Sequence, residues 1–151
     1  MELIPYEDFS RLRMKQFVPA EIEVSDDDGY EWMGGFWIHE GIGFTGVARH
    51  EDTPDEAGGL AVAFRELPER SATLAIFDAI RLPLRLGMTL EEVRSVLGEP
   101  EHTNVFVADR KSYDFTVGSQ FPYYVSATVH DTDGLIYVVV IRKDVLSKCD
   151  A

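Results

Sequence analysis

The pattern of apolar positions changes after the first part of the chain. Tyr6, Phe9 and Leu12 recur every three residues behind a proline, which predicts a helix over Pro5–Phe17. Beyond Pro19 the apolar residues fall into short runs between glycine-rich breaks, a pattern typical of strands that pair antiparallel through tight turns. The strand candidates in this part are Ala20–Val24, Tyr30–His39, Phe44–Arg49, Leu60–Phe64, Thr73–Phe77 and Ile80–Leu86.

A second helix is predicted over Leu90–Leu97 from signals at both of its ends. Thr89 stands three residues before Glu92, the spacing of a capping box in which each side chain bonds the backbone N–H of the other residue. Gly98 can adopt the positive φ of a helix C-cap, and Pro100 cannot continue the helix. These signals define a short helix with a firm start and a firm stop.

The remainder of the chain alternates strand patterns with turns. The segment Asp131–Gly134 has the composition of a hairpin turn, with glycine supplying the positive φ. The run Leu135–Ile141 is apolar throughout, which predicts a central strand covered on both faces. The strand candidates here are Asn104–Val107, Ser112–Val117, Tyr123–His130 and Leu135–Arg142.

These elements predict an α+β fold. We expect a single domain over residues 1–151, with an antiparallel sheet and two or three short helices packed on it. A chain of this length buries roughly 69% of the surface that its unfolded form exposes, enough for a core without metals or disulfides. Apolar residues make up 45% of the chain and charged residues 27%, which is ordinary for a globular domain.

The segment Leu86–Pro100 also carries a family resemblance. Its letters, LGMTLEEVRSVLGEP, match a pattern of Gly-Met-Thr, then a valine, then Leu-Gly-x-Pro. An aromatic strand, Tyr113–Phe115, and the Asp-Gly hairpin follow it. Over Leu86–Ile141 the chain resembles the SmpA/OmlA-type outer-membrane assembly lipoproteins and the modules of the β-lactamase-inhibitor-protein type. The resemblance implies helices laid on a small antiparallel sheet, and a function in binding other proteins rather than in catalysis.

Charge is the unusual feature of the composition. The chain has 14 Lys and Arg residues against 27 Asp and Glu residues, a formal net charge of −13. Such a surface repels nucleic acid phosphates and anionic membranes. It favours a basic protein partner, and its acidity resembles that of small bacterial immunity proteins. We therefore expect a partner that is a basic protein, neither nucleic acid nor membrane.

One stretch combines the acidity with aromatic residues. From Gln16 to Ala48 the sequence has no Lys or Arg, while acidic residues and large aromatic residues are interleaved. Charges steer the encounter with a basic partner and aromatic side chains supply the anchors of an interface. The candidate partner-binding residues are Asp26, Asp27, Asp28, Tyr30, Glu31, Trp32 and Trp37.

The alternative hypothesis is a small-ligand-binding protein or an enzyme with a site near the glycine-rich strands. His39 and His50 are each followed by a glutamate and can converge across a hairpin. The run Gly41–Gly46 spells G-x-G-x-x-G, the pattern of a dinucleotide-binding loop. Such a loop is followed by a helix, whereas proline and glycine residues follow here, so a turn or a bulge between strands is favoured. No histidine pair has the spacing of a metal motif, and we expect no cofactor, no metal and no catalytic residues.

The cellular location is predicted from two features. Cys149 is the single cysteine, so no internal disulfide can form. The segment Met1–Asp8 lacks the basic start and apolar stretch of a signal peptide, and no apolar run reaches the length of a membrane span. Both features predict the cytoplasm.

Overall fold

The part of the chain that the structure describes contains three helices and eight strands. In a computed structural model of the chain, residues 1–12, 32–33, 36–39, 42–46, 57–63 and 70–144 are described. Within these ranges the helices are α1 (Tyr6–Ser10), α2 (Arg70–Ile80) and α3 (Leu90–Leu97). The strands are β1 (Trp32–Met33), β2 (Phe36–His39), β3 (Ile42–Gly46), β4 (Ala57–Ala63), β5 (His102–Val107), β6 (Arg110–Val117), β7 (Tyr123–His130) and β8 (Gly134–Arg142).

The eight strands build one antiparallel sheet in the order β1-β2-β3-β4-β8-β7-β6-β5. Strands that are consecutive in the chain pair with each other, with one exception: β4 pairs with β8 and not with β5. This pairing joins the strands of the N-terminal half to those of the C-terminal half. This arrangement confirms the predicted α+β class with an antiparallel sheet and short helices.

The hydrophobic core lies on one face of this sheet. Alternate residues of β6, β7 and β8 are buried, as the two-residue period of a strand requires. They pack with apolar residues of all three helices into one cluster. The helix residues in the cluster are Phe9 of α1, Ile76, Phe77 and Ile80 of α2, and Val93 of α3. The helices therefore cover this face, and the opposite face of β6–β8 is left open by the described elements.

The first helix is shorter than the sequence predicts. Helix α1 ends at Ser10, and both Arg11 and Leu12 lie outside it, so the prediction of a helix to Phe17 is wrong at these positions. Pro5 precedes the helix as its N-cap and provides no side-chain hydrogen bond. A five-residue helix without a side-chain cap depends on tertiary packing, which the fully buried Phe9 supplies.

Helix α2 replaces the extended segment predicted at Thr73–Phe77. It ends in a Schellman motif: Leu82 N donates to Phe77 O at 2.9 Å, and Arg81 N donates to Asp78 O at 3.2 Å. Arg81 occupies the position with positive φ, at 62°, where glycine is usual. Ile80–Leu86 is also not a strand, because the helix end and this turn occupy its first residues.

Helix α3 confirms the prediction at both ends. Thr89 Oγ1 accepts a hydrogen bond from Glu92 N at 3.2 Å, and Thr89 N donates to Glu92 Oε1 at 3.2 Å, so the capping box is complete. Gly98 ends the helix with a φ of 86° and donates its N–H to Arg94 O at 2.8 Å.

The strands of the C-terminal part lie close to their predicted positions. Strands β7 and β8 form the predicted hairpin, with Gly134 at a φ of 75°. Strand β8 is central in the sheet, as predicted, and its two faces are buried to different degrees. Val138 and Val140 are fully buried, whereas Val139 on the other face is only partly buried.

The strands of the N-terminal part follow the prediction in outline. The segment predicted at Tyr30–His39 contains two strands, β1 and β2, paired with each other. The glycine-rich run contains β3, with an irregularity in its pairing at Thr45 and Gly46, in agreement with the favoured bulge. The candidate Ala20–Val24 lies outside the described residues.

Candidate functional site

The predicted acidic and aromatic site falls only partly on described residues. Trp32 and Trp37 lie on β1 and β2 and are direct partners in the register of that pair. The other five predicted residues lie outside the described ranges, namely Asp26, Asp27, Asp28, Tyr30 and Glu31. The structure brings the two tryptophans together in the sheet, and their role in binding a partner stays a prediction.

The register also places Trp37 relative to the core. Trp37 pairs with Phe44, Phe44 with Leu60, and Leu60 with Val140. Leu60 and Val140 are fully buried core residues. The backbone of the predicted aromatic site is thus continuous with the central strands through one row of paired residues.

The alternative site is described in part. His39 is the last residue of β2 and pairs with Ile42 of β3. His50 lies outside the described residues, so the predicted convergence of the two histidines stays a prediction.

The open face of the sheet carries a polar cluster that sequence reasoning missed. Asp114 of β6 lies at the centre of this cluster and is partly buried. Its Oδ1 accepts a hydrogen bond from the Tyr124 hydroxyl at 3.0 Å, and its Oδ2 accepts one from Asn104 Nδ2 at 3.2 Å. We call Asn104, Asp114 and Tyr124 the Asp114 cluster. Three neighbouring strands, β5, β6 and β7, each contribute one member to it.

The surroundings of Tyr124 keep its hydroxyl group protonated at neutral pH. Partial burial, together with the hydrogen bond to the Asp114 carboxylate, raises the pKa of Tyr124 above its ordinary value. Tyr124 therefore stays a hydrogen-bond donor. Hydroxyl groups continue the polar surface beside the cluster, since Ser112 Oγ and Thr128 Oγ1 lie 2.9 Å apart across β6 and β7. The result is a carboxylate set among neutral hydroxyl and amide groups, which suits recognition of a cation.

His130 closes the β7–β8 hairpin. Its Nδ1 accepts hydrogen bonds from Thr132 N at 3.2 Å and Asp133 N at 3.1 Å, and its Nε2 lies 3.1 Å from Asp109 Oδ2. Because backbone N–H groups can only donate, Nδ1 is the acceptor and Nε2 carries the proton that is donated to Asp109. Both ring nitrogens are engaged, so this histidine fastens a turn and offers no nitrogen as a general base.

Asp109 is held as a carboxylate by the same arrangement. Its hydrogen bonds to Arg110, and then to His130, lower the pKa of Asp109 from its ordinary 3.8 to about 2. Arg110 Nε lies 2.8 Å from Asp109 Oδ1. These contacts join the β5–β6 turn to the β7–β8 turn.

A cavity of about 280 Å³ lies between the start of α3 and the β7–β8 turn. Its walls include Leu90, Lys111, Tyr113, Val129 and His130. The lining mixes apolar and polar groups, and the engaged nitrogens of His130 belong to its wall.

The described residues contain neither a cluster placed to bind a metal ion nor a helix that could span a membrane. Within those ranges, no group of three or more His, Cys, Asp or Glu side chains is placed to hold a metal ion. Among the described helices none has both the length and the apolar character needed to cross a bilayer.

The comparisons with known proteins add a distant likeness. No protein-family model matches the chain. No curated protein matches it either. Among solved structures, the chain is similar to a DUF4309 family protein (YjgB) from Bacillus subtilis subsp. subtilis str. 168, with 17% identity over 81% of this chain and 70% of that chain, at a TM-score of 0.38. At this level the likeness assigns no function, and the resemblance to the SmpA/OmlA-type lipoproteins and β-lactamase-inhibitor-like modules stays a prediction.

Proposed function

We propose that this protein is a non-catalytic, acidic protein-binding module that covers a basic protein partner, as immunity and inhibitor proteins do. The observation that carries the proposal is the Asp114 cluster, a partly buried carboxylate on the sheet face that the described helices leave open. Each carboxylate oxygen has two lone pairs, so a carboxylate bound to Tyr124 and Asn104 can also receive a Lys or Arg side chain.

The electrostatics of the whole chain support the same partner. A net charge of −13 attracts a basic protein over long range and raises the rate of productive encounter. The predicted stretch with Asp26, Asp27, Asp28 and Glu31 adds local negative charge, and Trp32 is its candidate anchor. We place this interaction in the cytoplasm of a bacterium, where the single cysteine stays reduced.

The geometry of His130 supports binding over catalysis at the β7–β8 end of the sheet. A general base needs a ring nitrogen within reach of a substrate proton. Both nitrogens of His130 are instead used to hold the turn and Asp109. A structural role explains all of its contacts.

The test begins with affinity capture from an extract of the source organism, followed by binding kinetics on the purified partner. We expect a basic protein whose association slows as salt rises, because the Debye length is already about 8 Å at ~0.15 M ionic strength. Changing Asp26, Asp27 and Asp28 together to Asn should slow association more than it speeds dissociation. Trp32→Ala should instead speed dissociation, at a cost of about 2 kcal/mol or more.

A second pair of variants tests the open face directly. Asp114→Asn removes the central carboxylate and should weaken binding by about 2 kcal/mol or more through faster dissociation. Glu91→Gln removes one exposed charge from α3 on the helix side and should change affinity little. Equal effects of the two variants, or binding that is insensitive to salt, would contradict the proposal. A small molecule bound near His39 and lost on His39→Ala would favour the alternative function.

A further inference from the structure

Strand β5 is the last strand at one edge of the described sheet. It pairs with β6 on one side, and among the described residues no strand pairs with its other side. Val105 and Val107 of this strand have exposed side chains, at 60% and 51%. Unpaired backbone groups beside exposed valines form a template for another extended chain.

The sequence of β5 has few of the features that protect sheet edges. From His102 to Ala108 it contains no Lys, Arg, Asp, Glu or Pro. One protective feature is present, a bulge that leaves Val105 and Phe106 opposite the single residue Lys111. The bulge interrupts regular pairing after Asn104 and leaves His102–Asn104 as the regular part of the edge.

The charges of the protein determine which kind of extended chain can pair with β5. Glu101 precedes the strand and is exposed. Asp109 follows the strand as a carboxylate paired with Arg110, and the exposed Lys111 lies opposite the bulge. Ser112, Asp114 and Tyr124 lie on the next two strands of the same sheet. A second copy of this chain would bring another −13 charges to the edge, so like-charge repulsion opposes self-pairing. A basic extended segment is attracted by the same charges.

We propose that the β5 edge receives an extended segment of the basic partner as an additional strand. The inference rests on the proposed function and names where the partner binds. Backbone hydrogen bonds form along His102–Asn104, while apolar side chains of the segment pack on Val105 and Val107. Alternating Lys or Arg residues of the segment lie toward the acidic surface, including the Asp114 cluster one strand away.

The first experiment uses a defined probe, an acetylated and amidated octapeptide of alternating Lys and Val. When the peptide is added, amide exchange measured by NMR should slow at those residues of His102–Asn104 whose N–H groups point away from β6, because the N–H groups of the alternate residues already donate to that strand. The same peptide with alternate backbone nitrogens methylated cannot donate to the edge and should not protect these amides. A peptide of alternating Glu and Val should not bind, because its charge is repelled. Absence of protection at β5, or equal protection by the methylated peptide, would overturn the proposal.

The second experiment uses a matched pair of variants. Val105→Glu together with Val107→Glu removes the apolar contacts while adding negative charge, and should weaken peptide binding about tenfold or more. Thr116→Glu adds a charge at an exposed position of β6, an inner strand, and should not weaken it. Stronger binding by the double variant would mean that charge alone acts, and would overturn strand addition.

Two outcomes separate this inference from the proposed function. Salt-sensitive binding of a basic protein without protection of β5 leaves the proposed function standing and refutes the edge. Sedimentation that detects a dimer, with β5 amides protected in the absence of peptide, would make a second copy the occupant and refute a basic partner segment.

Discussion

Gly134, the first residue of β8, packs directly on the backbone of Gly87 in the loop before α3. A Cβ placed on Gly134 would lie 2.6 Å from the Gly87 carbonyl carbon and 2.8 Å from Met88 O. Two backbone hydrogen bonds join the same segments, Gly87 N to Leu135 O at 3.0 Å and Leu135 N to Met88 O at 2.9 Å. The loop that caps α3 is therefore fastened to the central strand, and Gly134 permits the close approach.

Replacing Gly134 by alanine should destabilise the fold through two separable effects. A positive φ of 75° strains any residue with a Cβ, and the new Cβ also clashes with backbone. Together these effects should lower the free energy of unfolding by about 3 kcal/mol in urea titrations. Gly98→Ala is the matched control, because its φ is 86° but nothing lies within 4 Å of the added Cβ. We expect about 2 kcal/mol there, because a ψ of −156° places Gly98 outside the left-handed region, in a conformation that is costly for any residue with a Cβ. Equal losses would mean that the contact with Gly87 is unimportant.

Replacing Arg81 by glycine should stabilise the protein. Arg81 has a φ of 62° in the Schellman motif that ends α2. Glycine removes the strain of a Cβ at this position, and the gain exceeds the extra entropy of the unfolded chain, so we expect an increase of about 0.5–1 kcal/mol. Thermal or urea unfolding measures it. Arg81→Ala retains the Cβ and should give no gain, so equal stabilisation by both variants would assign the effect to the guanidinium instead.

The same residue explains why α2 could not be predicted from the sequence. A helix end is recognised by glycine after the last turn, and here Arg81 takes that position. The short window Thr73–Phe77 also hides the helical spacing of Ile76, Phe77 and Ile80, which all lie in the core. Helix α3 was predictable because Thr89 and Gly98 mark its ends locally.

The Asp114 cluster could not be predicted from the sequence, because its members come from three different strands. The cluster consists of Asn104, Asp114 and Tyr124, and each is ten positions after the previous one in the sequence. They come together only because of the register of β5, β6 and β7. The alternation along β7 does predict one polar face. It does not say which polar residues of other strands join that face, because register depends on turns and bulges such as the one after Asn104.

The capping box at the start of α3 gives a third prediction. Thr89→Ala removes the hydroxyl that accepts from Glu92 N and should cost about 1 kcal/mol of stability. Thr89→Ser retains the hydroxyl and should cost much less. Both variants lose the methyl group of threonine, but only Thr89→Ala loses the hydroxyl, so urea unfolding of the two measures the contribution of the cap. An equal loss of stability in the two variants would contradict a capping role.

Glu2 ties the start of the chain to the loop between β6 and β7. Its Oε1 accepts hydrogen bonds from Ser119 N at 2.6 Å and Ser119 Oγ at 2.8 Å. The backbone hydrogen bond from Ser119, followed by that from its hydroxyl, lowers the pKa of the Glu2 carboxyl below its ordinary value. The next two residues, Leu3 and Ile4, are buried in the hydrophobic core. The carbonyl oxygen of Ile4 also accepts a hydrogen bond from the buried Tyr123 hydroxyl at 2.7 Å.

This geometry predicts a pH-dependent stability with a definite sign. The folded state lowers the pKa of Glu2, so it binds this proton less readily than the unfolded state does. The stabilisation is therefore complete above the unfolded pKa of about 4.3, and it is lost as pH falls through the lower folded pKa. Glu2→Gln should lower the urea midpoint at neutral pH, and the difference from wild type should shrink in acid. The low pKa of Asp109 cancels in this difference because both proteins contain it.

Glu7→Gln is the control for this prediction. It removes an exposed carboxylate of the same N-terminal segment, which is paired with Arg11 at the surface, and should change the urea midpoint little at any pH. A Glu2→Gln difference that stays constant from neutral pH into acid would show that the charge of Glu2 does not hold the loop.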